Sequence, residues 1–253
     1  MNIDLSQRVA VVTGAGQGIG WAIARQLADA GASLVIADIN YEAAALRVTE
    51  LPGANGATHL AVAVDVGDEL SVAEMVERTT TTLGGPHVLV NNAGISRPAS
   101  TLDTDLDRWE EVVRVNLTGA FLCSRACLPA MREAGWGRIV NLSSFNAKSA
   151  PIHGDNASYA ASKAGLTGLI HNLAVEFAPA GVTVNGIAPG MVDTDLLRSA
   201  HTPERRAELV KRIPVARFTT PEEVASLAVF LASEQARSIT GEIININGGL
   251  YFD

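Results

Sequence analysis

Residues 8–20 read Arg8-Val9-Ala10-Val11-Val12-Thr13-Gly14-Ala15-Gly16-Gln17-Gly18-Ile19-Gly20. The unbroken apolar run predicts a strand buried on both faces. Glycines end it, and from Gly18 onward apolar side chains return at Ile19, Ile23, Ala24 and Leu27. That is the spacing of one helix face, closed by Gly31. Strand, glycine turn and helix in this order present backbone N–H groups at a helix N-terminus. A pyrophosphate is stabilised there, and glycines allow its close approach. The common G-x-G-x-x-G spacing is not met from Gly14, whose sixth position is Ile19; the glycines present are Gly14, Gly18 and Gly20.

The alternation continues outward from this stretch. Strand-like runs are expected at 33–37, 58–64, 87–90, 138–142, 182–188 and 242–246, with helices at 41–50, 69–83, 107–133, 156–178 and 221–232. Strands apolar on both sides, each followed by a helix, require a parallel sheet covered on both faces. Right-handed crossovers then give an α/β doubly wound parallel sheet of about seven strands. No linker, repeat or low-complexity block interrupts residues 1–253, so one domain is expected.

Composition narrows the function classes. With 47% apolar and 18% charged residues, the chain can bury a sizeable core. Nineteen basic against 27 acidic residues leave a net charge of −8, which argues against a nucleic-acid or anionic-membrane partner. Cys123 and Cys127 are the only cysteines and share a helix face, a poor frame for a disulfide and too few ligands for zinc. They are expected to be packing residues, and no metal site is expected. The N-terminal residues lack the basic flank and apolar run of a signal peptide, and no apolar stretch reaches the ~20 residues that span a bilayer. A cytoplasmic location is expected.

Two further features carry chemistry. Asp38 ends the second strand 20 residues after Gly18, where a carboxylate accepts hydrogen bonds from adenosine ribose hydroxyls and repels a 2′-phosphate. Gln17, Ile39 and Asn40 supply no compensating cation, so NAD(H) is expected over NADP(H). Tyr159 and Lys163 are four residues apart in a helical stretch and so lie on one face. Near-neutral proton transfer by a phenol asks for a pKa lowered by about 2–3 units, or ~3–4 kcal/mol. A neighbouring ammonium and an oxidised nicotinamide favour that direction.

In order along the chain stand Thr13-Gly14…Gly18…Gly20, Asp65-Val66, Asn91-Asn92-Ala93-Gly94, Asn116, Ser144, Tyr159…Lys163 and Pro189-Gly190…Thr194. With these motifs over nearly its whole length, the sequence resembles the short-chain dehydrogenase/reductase family, NAD-dependent branch, with a Rossmann-like fold. The resemblance implies that Tyr159 is the general acid/base, that Ser144 holds the substrate oxygen, that Lys163 binds the nicotinamide ribose and lowers the Tyr159 pKa, and that Asn116 holds a relay water. It implies cofactor contacts at Gly14, Gln17, Gly18, Ile19, Gly20, Asp38, Asp65, Val66, Asn92, Ala93, Gly94, Pro189, Gly190, Val192 and Thr194, as well as at Tyr159 and Lys163. Ser144 and Tyr159 are 15 residues apart where many relatives have 13, a lengthening similar to that of the family's polyol dehydrogenases.

Substrate choice is expected to lie in the 145–158 loop, through Asn146 and His153, and in Met191 at the start of a lid over about 191–214. Each polar loop residue can equally be an ordinary solvated one. Within the lid, Arg205, Arg206, Lys211 and Arg212 are expected on a solvated face. The reading favours oxidation of a secondary alcohol on a small polar hydroxy compound such as a polyol or sugar. One alternative is a 3-oxoacyl-thioester (acyl-carrier-protein) reductase, suggested by Asp193-Thr194-Asp195. Against it, those reductases usually prefer NADP(H) and tend to carry docking arginines where this chain has Gly135 and Ala180. The alternative from another class is a non-catalytic NAD-binding regulator. Helices apolar beyond one face, with Phe121, Leu122, Leu166, Leu169, Ile170 and Phe177, suggest subunit contact, and the resemblance implies a homotetramer or homodimer.

Overall fold

A computed structural model describes residues 3–53, 56–149 and 156–252. Seven strands form one parallel sheet: β1 Val9–Thr13, β2 Ser33–Asp38, β3 His59–Ala63, β4 Val88–Asn91, β5 Gly137–Leu142, β6 Val182–Pro189 and β7 Ile243–Ile246. Their spatial order is β3-β2-β1-β4-β5-β6-β7. β1 therefore pairs with β2 on one side and β4 on the other, in register Val11 to Val35 and Val11 to Leu89. The chain winds outward from β1 to β3 and then crosses back to β4. A crevice opens at that switch point, above the carboxyl ends of β1 and β4.

The two-residue period of the strands divides the core between two faces. Ala10, Val12, Leu34 and Ile36 point to one side, where Ile23 and Leu27 of α1 (Gly18–Asp29) meet Val224 and Val229 of α9 (Pro221–Leu231). Val9, Val11, Val35 and Ala37 point to the other. There they meet Met75 of α3 (Glu69–Leu83), Cys123 and Cys127 of α5 (Gly119–Glu133), and Leu166 and Ile170 of α6 (Ala157–Phe177). Both cysteines are fully buried packing residues, and burial pushes the Cys123 thiol up to about 12.

Helix starts follow their capping chemistry. Asn40 opens α2 (Tyr41–Glu50) by accepting from Ala43 N–H, and Asp68 opens α3 by accepting from Ser71 N–H. Thr220 and Glu223 form a reciprocal capping box at α9, with Pro221 in the first turn. The helix expected at 107–133 is two helices, α4 (Leu106–Val113) and α5, joined by a π turn at Arg114–Thr118 that contains Asn116. A π turn keeps the backbone helical, so apolar periodicity does not reveal it. The 191–214 segment, expected to be a lid, contains α7 (Asp195–Ala200) and α8 (Pro203–Val210).

Candidate active site

The glycine turn is held by interlocking backbone. Asn92, just past β4, donates through Nδ2 to the carbonyls of Thr13 (2.9 Å) and Gly14 (3.0 Å). The Thr13 hydroxyl accepts from Asn92 N–H and Ala93 N–H, both at 3.1 Å. A Cβ at Gly20 would sit 2.3 Å from the Gly14 carbonyl oxygen and 2.4 Å from Asn92 Nδ2, so only glycine fits. Gly14 and Gly18 have φ of +63° and +58°, which also suits glycine. Around Gly18 the space is open, with the Thr194 methyl 3.8 Å from the position a Cβ would take. Gln17 is exposed and precedes α1, while Ile19 packs against the core below the turn.

Asp38 Oδ2 accepts from Gly16 N–H at 2.9 Å and Oδ1 from Asn40 N–H at 3.0 Å. Asp65 forms an ion pair with Arg114 at 2.9 Å and caps its own turn through Gly67 N–H. Val66 lies against Gly119, whose Cβ would come within 2.8 Å of it. Across the crevice, Pro189 ends β6, and Gly190 N–H donates to Ile246. Met191 and Val192 are clasped by Thr219, which donates to the Met191 carbonyl and bridges Val192. Thr194 then caps α7 by accepting from Leu197 N–H. An open glycine cradle at a helix N-terminus, a carboxylate at the end of β2 and the facing β6 segment fit a dinucleotide.

The side chains expected to be catalytic gather at one end of this crevice. Ser144 follows β5, and its hydroxyl lies close enough to the Tyr159 phenol to favour the phenolate. Lys163 is 5% exposed; its Nζ donates to the Leu142 carbonyl at 2.7 Å and lies 5.7 Å from the Tyr159 ring centroid. Asn116 Oδ1 accepts from Ile95 N–H at 2.8 Å, while its Nδ2 donates to the Ile95 carbonyl and to Ser162 Oγ. Ser162 in turn donates to the Tyr159 carbonyl. A Cβ at Gly94 would lie 3.2 Å from Asn116 Oδ1 and 3.4 Å from Lys163 Nζ, so this glycine lets the three groups meet.

Electrostatically, burial pushes the Tyr159 phenol above its usual value, and the neighbouring Ser144 hydroxyl opposes that shift. Burial also pushes the Lys163 ammonium down, to about 8. Without a dinucleotide, desolvation of the phenol thus outweighs the opposing effect of Ser144.

Asn146, two residues after Ser144, donates its backbone N–H to Ser144 Oγ. Its side-chain Oδ1 is buried without a partner among the described residues. Asn156, just before α6, ties that helix to Ser96 at 2.7 Å. His153 lies outside the described residues. Arg206 departs from the solvated face expected for it. It pairs with Asp193 at 2.8 Å, and its guanidinium lies over the Phe218 ring, so with Arg198 it latches α7 and α8 to the end of β6. The two arginines hold the Asp193 carboxyl below the usual range. Sequence reasoning quoted Thr13 in the glycine motif without foreseeing its bonds to Asn92 and Ala93, and it missed Arg114 and Ser162 as structural partners; the only hint for those two was their placement beside motif residues.

The family model described as "Enoyl-(Acyl carrier protein) reductase" matches residues 14–251. The chain is 40% identical over 251 residues to a 3-oxoacyl-[acyl-carrier-protein] reductase of Aquifex aeolicus, covering 99% of this chain and 100% of that one. The chain belongs to the short-chain dehydrogenase/reductase family. Among other members of this family, a cis-4-hydroxycyclohexanecarboxylate dehydrogenase of Sinomonas cyclohexanicum is 42% identical, with 98% of each chain covered. The solved structure of a putative gluconate dehydrogenase from Agrobacterium tumefaciens superposes with a TM-score of 0.92 at 34% identity, covering 99% of this chain and 98% of that one. Like these short-chain dehydrogenase/reductase relatives, the chain is an oxidoreductase built on a single Rossmann-type domain. Among the described residues, no helix is long and apolar enough to cross a membrane.

Proposed function

We propose that this oxidoreductase is an NAD-dependent dehydrogenase that interconverts a secondary alcohol and a ketone on a small polar hydroxy compound such as a polyol or sugar. The observation that carries the reaction is the buried Lys163 ammonium held 5.7 Å from the Tyr159 ring centroid, with Ser144 beside the phenol. The bound nicotinamide supplies the hydride acceptor. Ser144 Oγ holds the carbinol oxygen, and the Tyr159 oxygen takes its proton. Lys163 holds the ribose hydroxyls and stabilises the phenolate. Asn116 braces the Lys163 end of a proton path to solvent.

Asp38 supports NAD. Its carboxylate stands at the end of β2, where the adenosine ribose is held, and among the described residues it forms no ion pair. Two relatives whose names denote activity on hydroxylated carboxylates support a small polar substrate. So does the buried Asn146 Oδ1 near Ser144, without a partner among the described residues, which suits a substrate hydroxyl donor. The 191–214 segment serves as the lid, the protein works in the cytoplasm, and it assembles as a homotetramer.

A second reading, 3-oxoacyl-thioester reduction, is favoured by the relative from Aquifex aeolicus. Steady-state assays separate the two. The proposal expects NADH formation from polyols, sugars or hydroxy acids and a higher kcat/KM with NAD than with NADP. A faster NADPH-driven reduction of acetoacetyl thioesters would overturn it in favour of the second reading.

A further inference from the structure

Gly16, in the middle of the glycine turn, is gripped from two sides. Its N–H donates to Asp38 Oδ2 at 2.9 Å, and its carbonyl accepts from Arg47 Nε at 3.0 Å. Arg47 reaches back from α2, nine residues beyond Asp38. Its guanidinium lies over the Trp21 ring, 5.0 Å from the centroid, and its Nη1 pairs with Glu50 at 2.7 Å. The side chain is 27% exposed. A carboxylate and a guanidinium thus flank one residue of the turn, yet no ion pair joins them among the described residues. A guanidinium carries five N–H donors. Those of Arg47 beyond the bonds to Gly16 and Glu50 have no partner among the described residues.

We propose that Arg47 is a latent 2′-phosphate ligand, and that the balance between Asp38 and Arg47 sets the choice between the two nicotinamide dinucleotides. The inference rests on the reading of Asp38 as the ribose-binding carboxylate. With Asp38 charged, a phosphate on the 2′ oxygen meets a carboxylate first, while Glu50 absorbs much of the Arg47 charge. With that carboxylate neutralised, Arg47 is the cation left at the turn. Trp21 and the Gly16 carbonyl hold its planar fork in place, the geometry that suits a phosphate. Gln17, Ile39 and Asn40, the neighbours in sequence, supply no cation here; Asn40 contributes its N–H to Asp38 Oδ1 and caps the helix that carries Arg47.

The test is calorimetric binding of ADP and of 2′,5′-ADP to the protein without dinucleotide, backed by kcat/KM for NAD and NADP. Asp38→Asn keeps an oxygen acceptor for Gly16 N–H and removes the charge; Asp38→Ser is the second variant if the first folds poorly. Wild-type protein is expected to bind ADP more tightly than 2′,5′-ADP. D38N is expected to bind 2′,5′-ADP about 30-fold more tightly than wild type, the range of one charge-assisted hydrogen bond. Adding Arg47→Gln should return that affinity to within about 3-fold of wild type, and Arg47→Lys should fall between. An equal gain in D38N and D38N/R47Q, or no gain in either Asp38 variant, would overturn the role of Arg47. Tighter binding of 2′,5′-ADP than ADP by wild type would instead overturn the reading of Asp38. If R47Q alone then abolished that binding, Arg47 would keep its assignment.

Discussion

At the scale of the residue, burial and the Ser144 hydroxyl pull the Tyr159 phenol in opposite directions. Desolvation disfavours the phenolate, and the Ser144 hydroxyl favours it. Alcohol oxidation needs the phenolate, so kcat/KM should rise with pH to a plateau. Ser144→Ala removes the one contact that lowers the pKa. Its pH–rate profile is therefore expected to reach the plateau at higher pH than wild type, besides losing rate; an unshifted limb would show that Ser144 does not act on the phenol. Lys163 shows the cost of such a site. Its folded value of about 8 lies below the ordinary 10.5, so between these limits the unfolded chain binds more protons. Stability of the dinucleotide-free protein should then rise with pH across that window, by an amount on the order of 3 kcal/mol in total. Lys163→Met should abolish that rise, as read by urea unfolding at pH 8 and 10. The motif residues were legible in the sequence because their order and spacing are specific. Arg47 and Arg114 were not. Each meets its partner through tertiary folding, and a cation on a helix face carries no mark of what it will touch.

At the scale of the element, the glycine turn is specified by contacts as much as by backbone freedom. Gly20→Ala would drive a methyl into the Gly14 carbonyl and the Asn92 amide. The expected outcome is a destabilisation of at least about 2 kcal/mol by denaturant unfolding, with loss of dinucleotide binding. Unchanged binding would mean that the turn has slack the contacts do not show. Strands and helices were read closely: α6 was expected at 156–178 and runs Ala157–Phe177. Periodicity marks such elements because each buries a full face. The π turn at Arg114–Thr118 escaped detection. What sets Asn116 apart there is its pair of hydrogen bonds to the Ile95 backbone, a contact 21 residues away in sequence. The Asp193 latch on α7 and α8 escaped for the same reason, since the pairing of Arg206 depends on how α8 folds back.

At the scale of the whole molecule, the switch point between β1 and β4 brings together groups from both halves of the chain. Asp38, Asn92 and Thr194 come together because β2, β4 and β6 end on the same edge of the parallel sheet, and α6 carries Tyr159 to that edge. The same architecture leaves an apolar outer face. α6 has apolar residues around its circumference, with Val175 80% exposed, and α4 and α5 expose Leu106 and Phe121. Covering these faces with further copies gives the proposed homotetramer, four times 26.4 kDa or about 106 kDa by light scattering. Val175→Glu is expected to shift that mass downward; a wild-type mass of one chain would contradict the assembly. The proposed chemistry converges on a single oxygen, and Tyr159→Phe tests it most directly. On the best alcohol substrate, kcat/KM is expected to fall about a thousandfold or more. NADH binding, followed by its fluorescence, should stay within about threefold of wild type, because the phenol hydroxyl moves a proton and is not needed to hold the dinucleotide. Turnover within tenfold of wild type in this variant would contradict Tyr159 as the proton-transfer group.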